Sequence, residues 1–317
     1  MTSTADGALH TVDGRPILRF ERRLAHPPRK VWAALTDPAQ LAQWFPADIE
    51  GDRASGATLR FVFREDEGPA QDGLITAFDP PHLLAFTWDA DVLRFELHPD
   101  GRGCRLVFTH SFDDRPGAAS FASGWTICLA ALDSVLEGRP VDDSLEPWAG
   151  LHEQYVERFG LAEGAAHQTA GGWTVRFERQ LTHPIDTVWA SLTETDASAP
   201  NASGIAIGGP PPLPLTNEFI PAGPVITVDP PALLEYAWQS ENQPAGRVRW
   251  ELSQGPGGAR LVLTQTVPKE LNDQRPAALA AWHVHLERLA AKLKGQPTHP
   301  QPEERTEELR RHYAALT

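Results

Sequence analysis

The chain repeats itself, and this repeat constrains the fold more than any other feature. The segment "LRFERRLAHPPRKVW" ends at Trp32, and "VRFERQLTHPIDTVW" ends 157 residues later at Trp189. The match resumes between "DPPHLLAFTW" and "DPPALLEYAW", and again where Trp125 and Trp282 lie 157 residues apart. Because a repeat of this length means that one folding unit occurs twice, the 317-residue chain is predicted to form two domains.

The boundary between the two copies is predicted in "LAEGAAHQTAGGW", a Gly- and Ala-rich stretch that can bury little apolar surface. We therefore expect a first domain over 15–160, a linker over 161–171 and a second domain over 172–317. Each copy includes a trailing helix, because "LHEQYVERFG" resembles "LRRHYAALT", with Tyr155 and Tyr313 in matching positions.

Within the first copy, hydrophobic periodicity predicts an α+β fold. Alternating residues from Leu18 onward indicate a strand, and Pro28 suits the start of the first of two short helices. Five further alternating segments between residues 59 and 112, separated by Gly, Asp and Pro turns, predict an antiparallel meander. A long amphipathic helix then ends at Gly138, with an apolar stripe formed by Trp125, Leu129, Leu132 and Leu136.

This order of elements, the entry phrase "VWAALTDPAQLAQWF" and the Gly124-Trp125 pair in the long helix resemble the START-like helix-grip (SRPBCC, Bet v 1-like) superfamily. Within it, the chain is similar to the branch named after the activator of the heat-shock protein ATPase. That branch includes polyketide cyclases, lipid carriers and proteins that capture enediyne antibiotics. The resemblance implies two tandem helix-grip domains, each a curved antiparallel sheet wrapped around a long C-terminal helix, commonly with a ligand cavity between them.

A set of large apolar side chains in the first copy is predicted to face this interior. Taken singly, each is explained as an ordinary core residue. Together they favour a ring-lined pocket for an apolar small molecule, since such sites are mostly aromatic with a few polar groups. The predicted ligand-binding residues are Trp44, Phe45, Phe61, Phe63, Phe86, Trp88, Phe95, Phe108, Trp125 and Leu129.

His110 is the polar candidate for this pocket. It shares a strand face with Phe108 and Phe112, and Gln265 takes its place in the second copy. Two interpretations stay open: a histidine whose hydrogen bonds are satisfied inside the core, or a donor to a carbonyl or phenol oxygen of a ligand.

The residues supply no recognised catalytic or metal-binding motif. The chain lacks GxSxG, GxxxxGK[ST], GxGxxG and HExxH, so no catalytic residue and no cofactor are predicted. His283 and His285 are two residues apart on a helix and point away from each other, so no metal site is expected. Cys104 and Cys128 are interpreted as buried thiols, and the acidic run at 65–67 as a solvated hairpin tip.

The second copy replaces the "LAQWF" and "LRFVF" segments of the first with a Pro-rich stretch at 198–224. Because proline cannot donate to a central ladder, we expect loop, polyproline-like structure or at most an edge strand there. The second domain is therefore expected to have lost or reshaped its cavity mouth. It is expected to act as a lid, a structural brace or a surface for a protein partner or a second copy of the chain.

Charge and hydropathy exclude several classes of partner. The net charge of -14 argues against nucleic-acid binding, which depends on clustered Lys and Arg. No apolar run approaches membrane-spanning length, and the N-terminus lacks an export signal. We therefore expect a cytoplasmic protein that does not insert into a membrane.

Three functions remain as hypotheses. The first is non-catalytic sequestration or carriage of a hydrophobic aromatic, polyketide-like molecule, with enediyne antibiotics as one class, in biosynthesis or self-resistance. The second is an enzyme of the polyketide cyclase or aromatase type, and the third is a chaperone ATPase activator or other protein-binding module.

Overall fold

The computed structural model describes most of the chain as two compact units, Met1–Tyr155 and Val156–Thr317. Each unit combines an antiparallel sheet with a long helix, which confirms the α+β class and the tandem arrangement. The acidic run at 65–67 lies outside the described residues, as do 198–204 and residue 218 of the Pro-rich stretch. The described residues are 6–64, 69–141, 148–194, 205–217, 219–296 and 303–316.

The first unit contains an eight-stranded antiparallel sheet in the order β1-β2-β8-β7-β6-β5-β4-β3. Two short helices, α1 (Pro28–Thr36) and α2 (Pro38–Leu41), follow the second strand, and α3 (Ala118–Glu137) and α4 (Trp148–Arg158) follow the last. The strands are β1 (Ala8–Val12), β2 (Arg15–Leu24), β3 (Ala47–Glu50), β4 (Thr58–Phe63), β5 (Gln71–Asp79), β6 (Leu83–Trp88), β7 (Asp91–Asp100) and β8 (Gly103–Ser111).

Local sequence explains where the helices of the first unit begin and end. The Asp37 side chain accepts from the backbone N–H of Gln40 at 3.1 Å, and Pro38 occupies the first turn, so α2 has both features of a capped start. The long helix α3 ends at Gly138, whose φ of 66° is the left-handed conformation that glycine adopts readily. Strand register places Phe108 opposite both Phe20 and Phe95, which brings these rings to one inner face.

The second unit contains a six-stranded antiparallel sheet in the order β11-β12-β13-β14-β10-β9. Its helices are α5 (Ile185–Thr193), α6 (Arg275–Leu293) and α7 (Glu303–Leu316). The strands are β9 (Ala165–Thr169), β10 (Gly172–Gln180), β11 (Ala222–Asp229), β12 (Leu233–Ser240), β13 (Gln243–Gly255) and β14 (Gly258–Pro268).

A tyrosine on the trailing helix fastens the start of each unit. In the first unit, Tyr155 Oη lies 2.7 Å from Thr126 Oγ1 on α3 and accepts from the backbone N–H of Gly7 at 3.1 Å. In the second, Tyr313 Oη lies 2.7 Å from His283 Nδ1 and accepts from the N–H of Gly164 at 3.0 Å. The repeat therefore extends to the segments that precede β1 and β9.

The linker predicted over 161–171 is wrong in part, because residues 165–169 form β9, which pairs with β10 along its whole length. Similarly, β1 lies before the start predicted at residue 15. Both are edge strands whose side chains are mostly exposed. They are held by backbone hydrogen bonds, so they carry no apolar alternation that the sequence could reveal.

The described part of the Pro-rich stretch forms a turn followed by an edge strand, as its prolines predict. Residues Leu213–Leu215 make one 3-10 turn, Asn217 and Ile220 form an isolated bridge, and β11 begins at Ala222. Neither β3 nor β4 has a counterpart in the described residues of the second unit.

One helical segment, 115–137, contains a window that is long and apolar enough by composition to cross a membrane. This differs from the expectation that no segment reaches that level. Half of the window is buried inside the protein, since α3 is the central helix of the first unit. A core helix has the same composition as a spanning one, so the burial accounts for its apolar character.

Candidate functional site

The first unit brings the predicted aromatic residues together in one cluster. Phe95 and Phe108 stack with ring centroids 4.5 Å apart, and Trp125 meets Phe108 edge-on at 4.7 Å. Phe45 lies between the sheet and α3, 5.4 Å from Trp88 and 5.8 Å from Trp125. Each ring is therefore packed against other rings, in the offset and edge-on geometries that aromatic pairs favour.

The cluster is deeply buried except at one end. Ring members that are almost entirely buried are Trp44, Phe45, Phe61, Phe86, Phe95, Phe108 and Trp125, and Leu129 on α3 is buried with them. Phe63 and Trp88 are only partly buried, and Trp88 stacks on Phe61 with centroids 4.8 Å apart. The open end of the cluster therefore lies at Trp88 and Phe63.

Trp88 also carries an unsatisfied donor. Its Nε1–H is buried and has no hydrogen-bond partner within the part of the chain that the structure describes. The counterpart in the second unit, Trp238, donates Nε1–H to the carbonyl of Thr266 at 2.8 Å. A buried N–H without a partner is uncommon in folded proteins, so the two copies differ at this position.

His110 is buried among these rings, and both of its ring nitrogens face protein atoms. Trp125 donates Nε1–H to Nδ1 of His110 at 3.0 Å. Because Nδ1 accepts, Nε2 carries the proton and donates to Oδ2 of Asp91 at 2.9 Å. Contact with a ligand, or action as a base, would require one of these bonds to open.

The second unit keeps the same bond without the histidine. Trp282 Nε1 donates to Oε1 of Gln265 at 2.7 Å, and Gln265 occupies the position of His110. The common element is an acceptor for the tryptophan of the long helix. This geometry favours the first of the two interpretations of His110, a histidine satisfied inside the core.

In the second unit, hydrogen bonds hold the Pro-rich stretch against the core, where the first unit has the aromatic rings of its "LAQWF" and "LRFVF" segments. The carbonyl of Leu215 accepts from Tyr236 Oη at 2.9 Å and from Trp250 Nε1 at 3.1 Å, and the Leu215 side chain is fully buried. Tyr236 and Trp250 occupy the positions of Phe86 and Phe95, so the substituted side chains supply the donors that the new loop needs. Burial raises the pKa of Tyr236 well above its ordinary value, so its hydroxyl stays protonated as a donor.

A pocket of about 800 Å³ lies between this loop and the helix α6. Its volume is within the range of small-molecule sites. Its apolar lining includes Val284 and Leu289 of α6, and two large side chains that are strongly exposed, Leu213 at 84% and Phe219 at 51%. Residues from α5 and α7 complete the wall, and none of the strands described above contributes to it. The loop that replaced the rings of the first unit therefore forms a pocket on the loop-facing side of α6.

The polar lining of this pocket combines neutral groups with two cations, Arg288 and Lys292. His285, Arg288 and Lys292 project from α6 at a helical spacing of three and four residues. His285 Nε2 donates to the carbonyl of Pro214 at 2.9 Å. Burial, with a smaller contribution from Arg288, lowers the pKa of His285 to about 4, so this ring is neutral near pH 7. Lys292 is paired with Glu194 at 2.7 Å.

The sequence did not predict this pocket. A signal was present, since one face of the long helix carries His285, Arg288 and Lys292. The corresponding face in the first copy carries Cys128 and Ala131 in place of His285 and Arg288. A polar, basic face facing a Pro-rich insertion indicates a departure from the shared scaffold.

Possible metal ligands and two cysteines lie within the described part of the chain. Over these ranges, no group of three or more His, Cys, Asp or Glu side chains is arranged to hold a metal ion. His283 and His285 have different partners, Tyr313 and Pro214. Burial raises the pKa of Cys104, and that of Cys128 to about 12, which makes both thiols poor nucleophiles at neutral pH.

Several solved structures are similar to the chain at low identity. DynU16, a protein from the dynemicin biosynthetic locus, is 19% identical over 87% of this chain and 98% of its own, with a TM-score of 0.38. CalU16 from Micromonospora echinospora is 20% identical over 49% of this chain and 95% of its own (TM-score 0.39). EF2215 from Enterococcus faecalis, a conserved protein of unknown function, is 22% identical over 49% and 90% (TM-score 0.42). Among curated proteins, no match was found.

A protein-family model matches each unit separately. The model describes the Activator of Hsp90 ATPase homolog 1-like protein family, and it matches residues 25–137 and again residues 182–294. Together the two matches span more than half of the chain, and each extends from the first short helix into the long helix. The fold of this family is a ligand-binding fold. The chain therefore belongs to the Activator of Hsp90 ATPase homolog 1-like protein family, as a tandem of two such domains.

Proposed function

We propose that the protein binds a ring-containing, largely apolar small molecule and holds it without converting it. The observation that carries this proposal is the pocket of about 800 Å³ in the second unit. Val284 and Leu289 form an apolar wall, while Leu213 and Phe219 expose large apolar surfaces beside it. Exposed apolar side chains around a cavity favour an apolar occupant, because binding removes their surface from water.

The expected affinity follows from the area that an occupant would cover. Burying roughly 250 Å² of apolar surface at about 25 cal/mol per Å² contributes on the order of 6 kcal/mol before ordering costs. Polar contacts at the lining add to this figure. Binding in the micromolar range is therefore the expected outcome.

The aromatic cluster of the first unit is proposed as a second binding region, reached through Trp88 and Phe63. These are its partly buried members, and the unpartnered Nε1–H of Trp88 could donate to an oxygen of a ligand. Flat rings of polycyclic, polyketide-like molecules suit stacking at this end of the cluster. A role in antibiotic biosynthesis or self-resistance, with enediynes as one ligand class, extends the same proposal.

The test is a fluorescence titration with N-phenyl-1-naphthylamine, a neutral probe with flat rings. The native chain should bind it saturably, and mass spectrometry should recover it unchanged. Replacing both Leu213 and Phe219 by Ser should weaken binding about tenfold, because much of the apolar lining is lost.

Leu74→Ser is the matched control, since Leu74 is an exposed apolar residue of the first unit that belongs to neither proposed site. It should leave the affinity unchanged. Absence of saturable binding would contradict the proposed function. Full affinity in the Leu213 and Phe219 variant would show that the second-unit pocket is not the site.

A further inference from the structure

We propose that the molecule held in the second-unit pocket carries an anionic group, a carboxylate or a sulfonate-like oxyanion, which binds at Arg288 and Asn217. This deepens the proposed function and rests on it. Within the described ranges no strand of the sheet lines this pocket, so the site is distinct from the space between sheet and long helix.

The first argument is the charge of Arg288. Arg288 is one of the lining residues, and no carboxylate or other hydrogen-bond partner for its guanidinium occurs within the described ranges. Most arginines of the described sheets, such as Arg247 and Arg249 with Glu235, are paired with acidic residues. In a chain of net charge -14, an arginine left without such a partner beside a cavity is available to an anion from solution.

The neighbouring charges do not compensate Arg288. Lys292 is already paired with Glu194 at 2.7 Å and donates to the carbonyl of Ser191 at 3.1 Å. Glu194 is therefore occupied by a different cation. His285 donates to Pro214 through Nε2, so it offers an anion no proton from that nitrogen. Among the lining residues that the structure describes, Arg288 is thus the cation that remains for a ligand.

The second argument is the orientation of the Asn217 amide. Its Oδ1 accepts from the backbone N–H groups of Phe219 at 3.1 Å and Ile220 at 2.8 Å. Because these bonds fix the oxygen, they also fix which way the amide nitrogen points. Nδ2 is buried and without a partner in the described structure, and Asn217 lines the same pocket as Arg288. The amide N–H of Asn217 favours a hydrogen-bond acceptor, and the guanidinium of Arg288, which has no partner in the described ranges, favours one that carries negative charge.

The apolar lining of the pocket indicates the chemical character of the rest of the ligand. Val284 and Leu289 lie on α6 beside the cationic residues, and Leu213 and Phe219 lie on the loop. A small inorganic anion would leave this apolar surface uncovered. The ligand class is therefore an organic acid with an apolar, ring-sized body.

The experiment compares two probes that differ mainly in one charged group. These are 8-anilino-1-naphthalenesulfonate, which is anionic, and N-phenyl-1-naphthylamine, which lacks the sulfonate. Arg288→Met should weaken binding of the sulfonate about threefold to fivefold, the effect of one partly exposed ion pair, and leave the neutral probe within about twofold. Added salt should weaken binding of the sulfonate probe only, because ions in solution screen its charge.

Asn217→Asp supplies an independent second variant. It keeps the oxygen that holds the loop, and it replaces the unpartnered donor by an anionic acceptor. Binding of the sulfonate should again fall about threefold to fivefold, with the neutral probe unchanged. Arg102→Met is the matched control, because Arg102 is an exposed arginine on a turn of the first unit with no partner in the described residues.

The outcomes separate the two proposals. If neither probe binds saturably, the proposed function fails and this inference fails with it. If both probes bind but Arg288→Met and Asn217→Asp weaken neither, or weaken both equally, the anion site is overturned while the proposed function stands. Selective loss of the sulfonate in both variants, with Arg102→Met unaffected, supports the inference.

Discussion

Trp125 donates its indole N–H to Nδ1 of His110 at 3.0 Å, which joins the long helix of the first unit to its sheet. The second unit makes the corresponding bond from Trp282 to Gln265 at 2.7 Å. Both tryptophans are almost fully buried. The repeat therefore preserves a polar bond across the core, although the identity of the acceptor has changed.

His110→Ala is predicted to destabilise the first unit by about 2 to 3 kcal/mol, because it leaves the Trp125 N–H unpaired and creates a cavity. His110→Gln should cost much less, since Gln265 performs the same role in the second unit. Urea unfolding followed by tryptophan fluorescence measures the difference. Equal losses in the two variants would show that the hydrogen bond to Trp125 contributes little.

Trp88→Phe and Trp238→Phe form a matched pair across the repeat. The first removes an N–H that has no partner in the described residues, and the second removes a donor to Thr266. We expect Trp238→Phe to lower the free energy of unfolding by about 1 kcal/mol more than Trp88→Phe. The reverse order in denaturant midpoints would contradict the assignment of Trp88 as the unsatisfied donor.

Gly164→Ala is predicted to destabilise the second unit by about 1 to 3 kcal/mol, because a Cβ there would overlap the ring of Phe177. Gly7→Ala should act in the same way in the first unit, where the added carbon would lie 2.6 Å from Phe20. Gly150 on α4 is the control, since a Cβ there meets nothing within 4 Å. Gly150→Ala should be neutral or stabilising by up to about 1 kcal/mol, as helix propensity predicts. Thermal unfolding distinguishes these outcomes.

His285 makes the stability of the second unit depend on pH. Its pKa is lowered from 6.5 to about 4 in the folded protein, chiefly by burial, so the unfolded chain binds more protons between these values. The stabilisation is complete above pH 6.5 and is lost as the pH falls toward 4, amounting to about 2 kcal/mol between pH 7.5 and 5.

The lowered pKa of Glu287, at about 2, acts only below its ordinary value of 4.5, so Glu287 does not contribute between pH 5 and 7.5. His285→Gln, which retains a side-chain donor, should show about 2 kcal/mol less loss over this interval in urea unfolding. An identical pH dependence in the two proteins would refute the assignment.

The chain order of the main elements could be read from the sequence. Alternation along β4 to β8, the apolar stripe of α3 and the glycine at its end are consequences of local periodicity and backbone geometry. The repeat then determined that the same scaffold occurs twice. These features depend on neighbours within a few residues, which is why the amino-acid pattern reports them.

The contacts between side chains inside each unit depend on tertiary structure. The predicted aromatic residues of the first unit do come together, but only the three-dimensional structure shows that they contact one another and that Trp88 and Phe63 form the open end. The edge strand β9 lies within the segment predicted as a linker, because backbone pairing leaves no hydrophobic pattern in the sequence.

The amino-acid pattern specifies two copies of one α+β scaffold and the loss of ring-bearing segments from the second. What replaced those segments is visible only in the folded protein: a loop held by Tyr236 and Trp250 through the Leu215 carbonyl, with a pocket between it and α6. The physical reason is the separation along the chain of the residues that define each feature. Periodicity records which face of an element is buried, whereas a pocket depends on contacts between segments about 70 residues apart, such as Pro214 and His285.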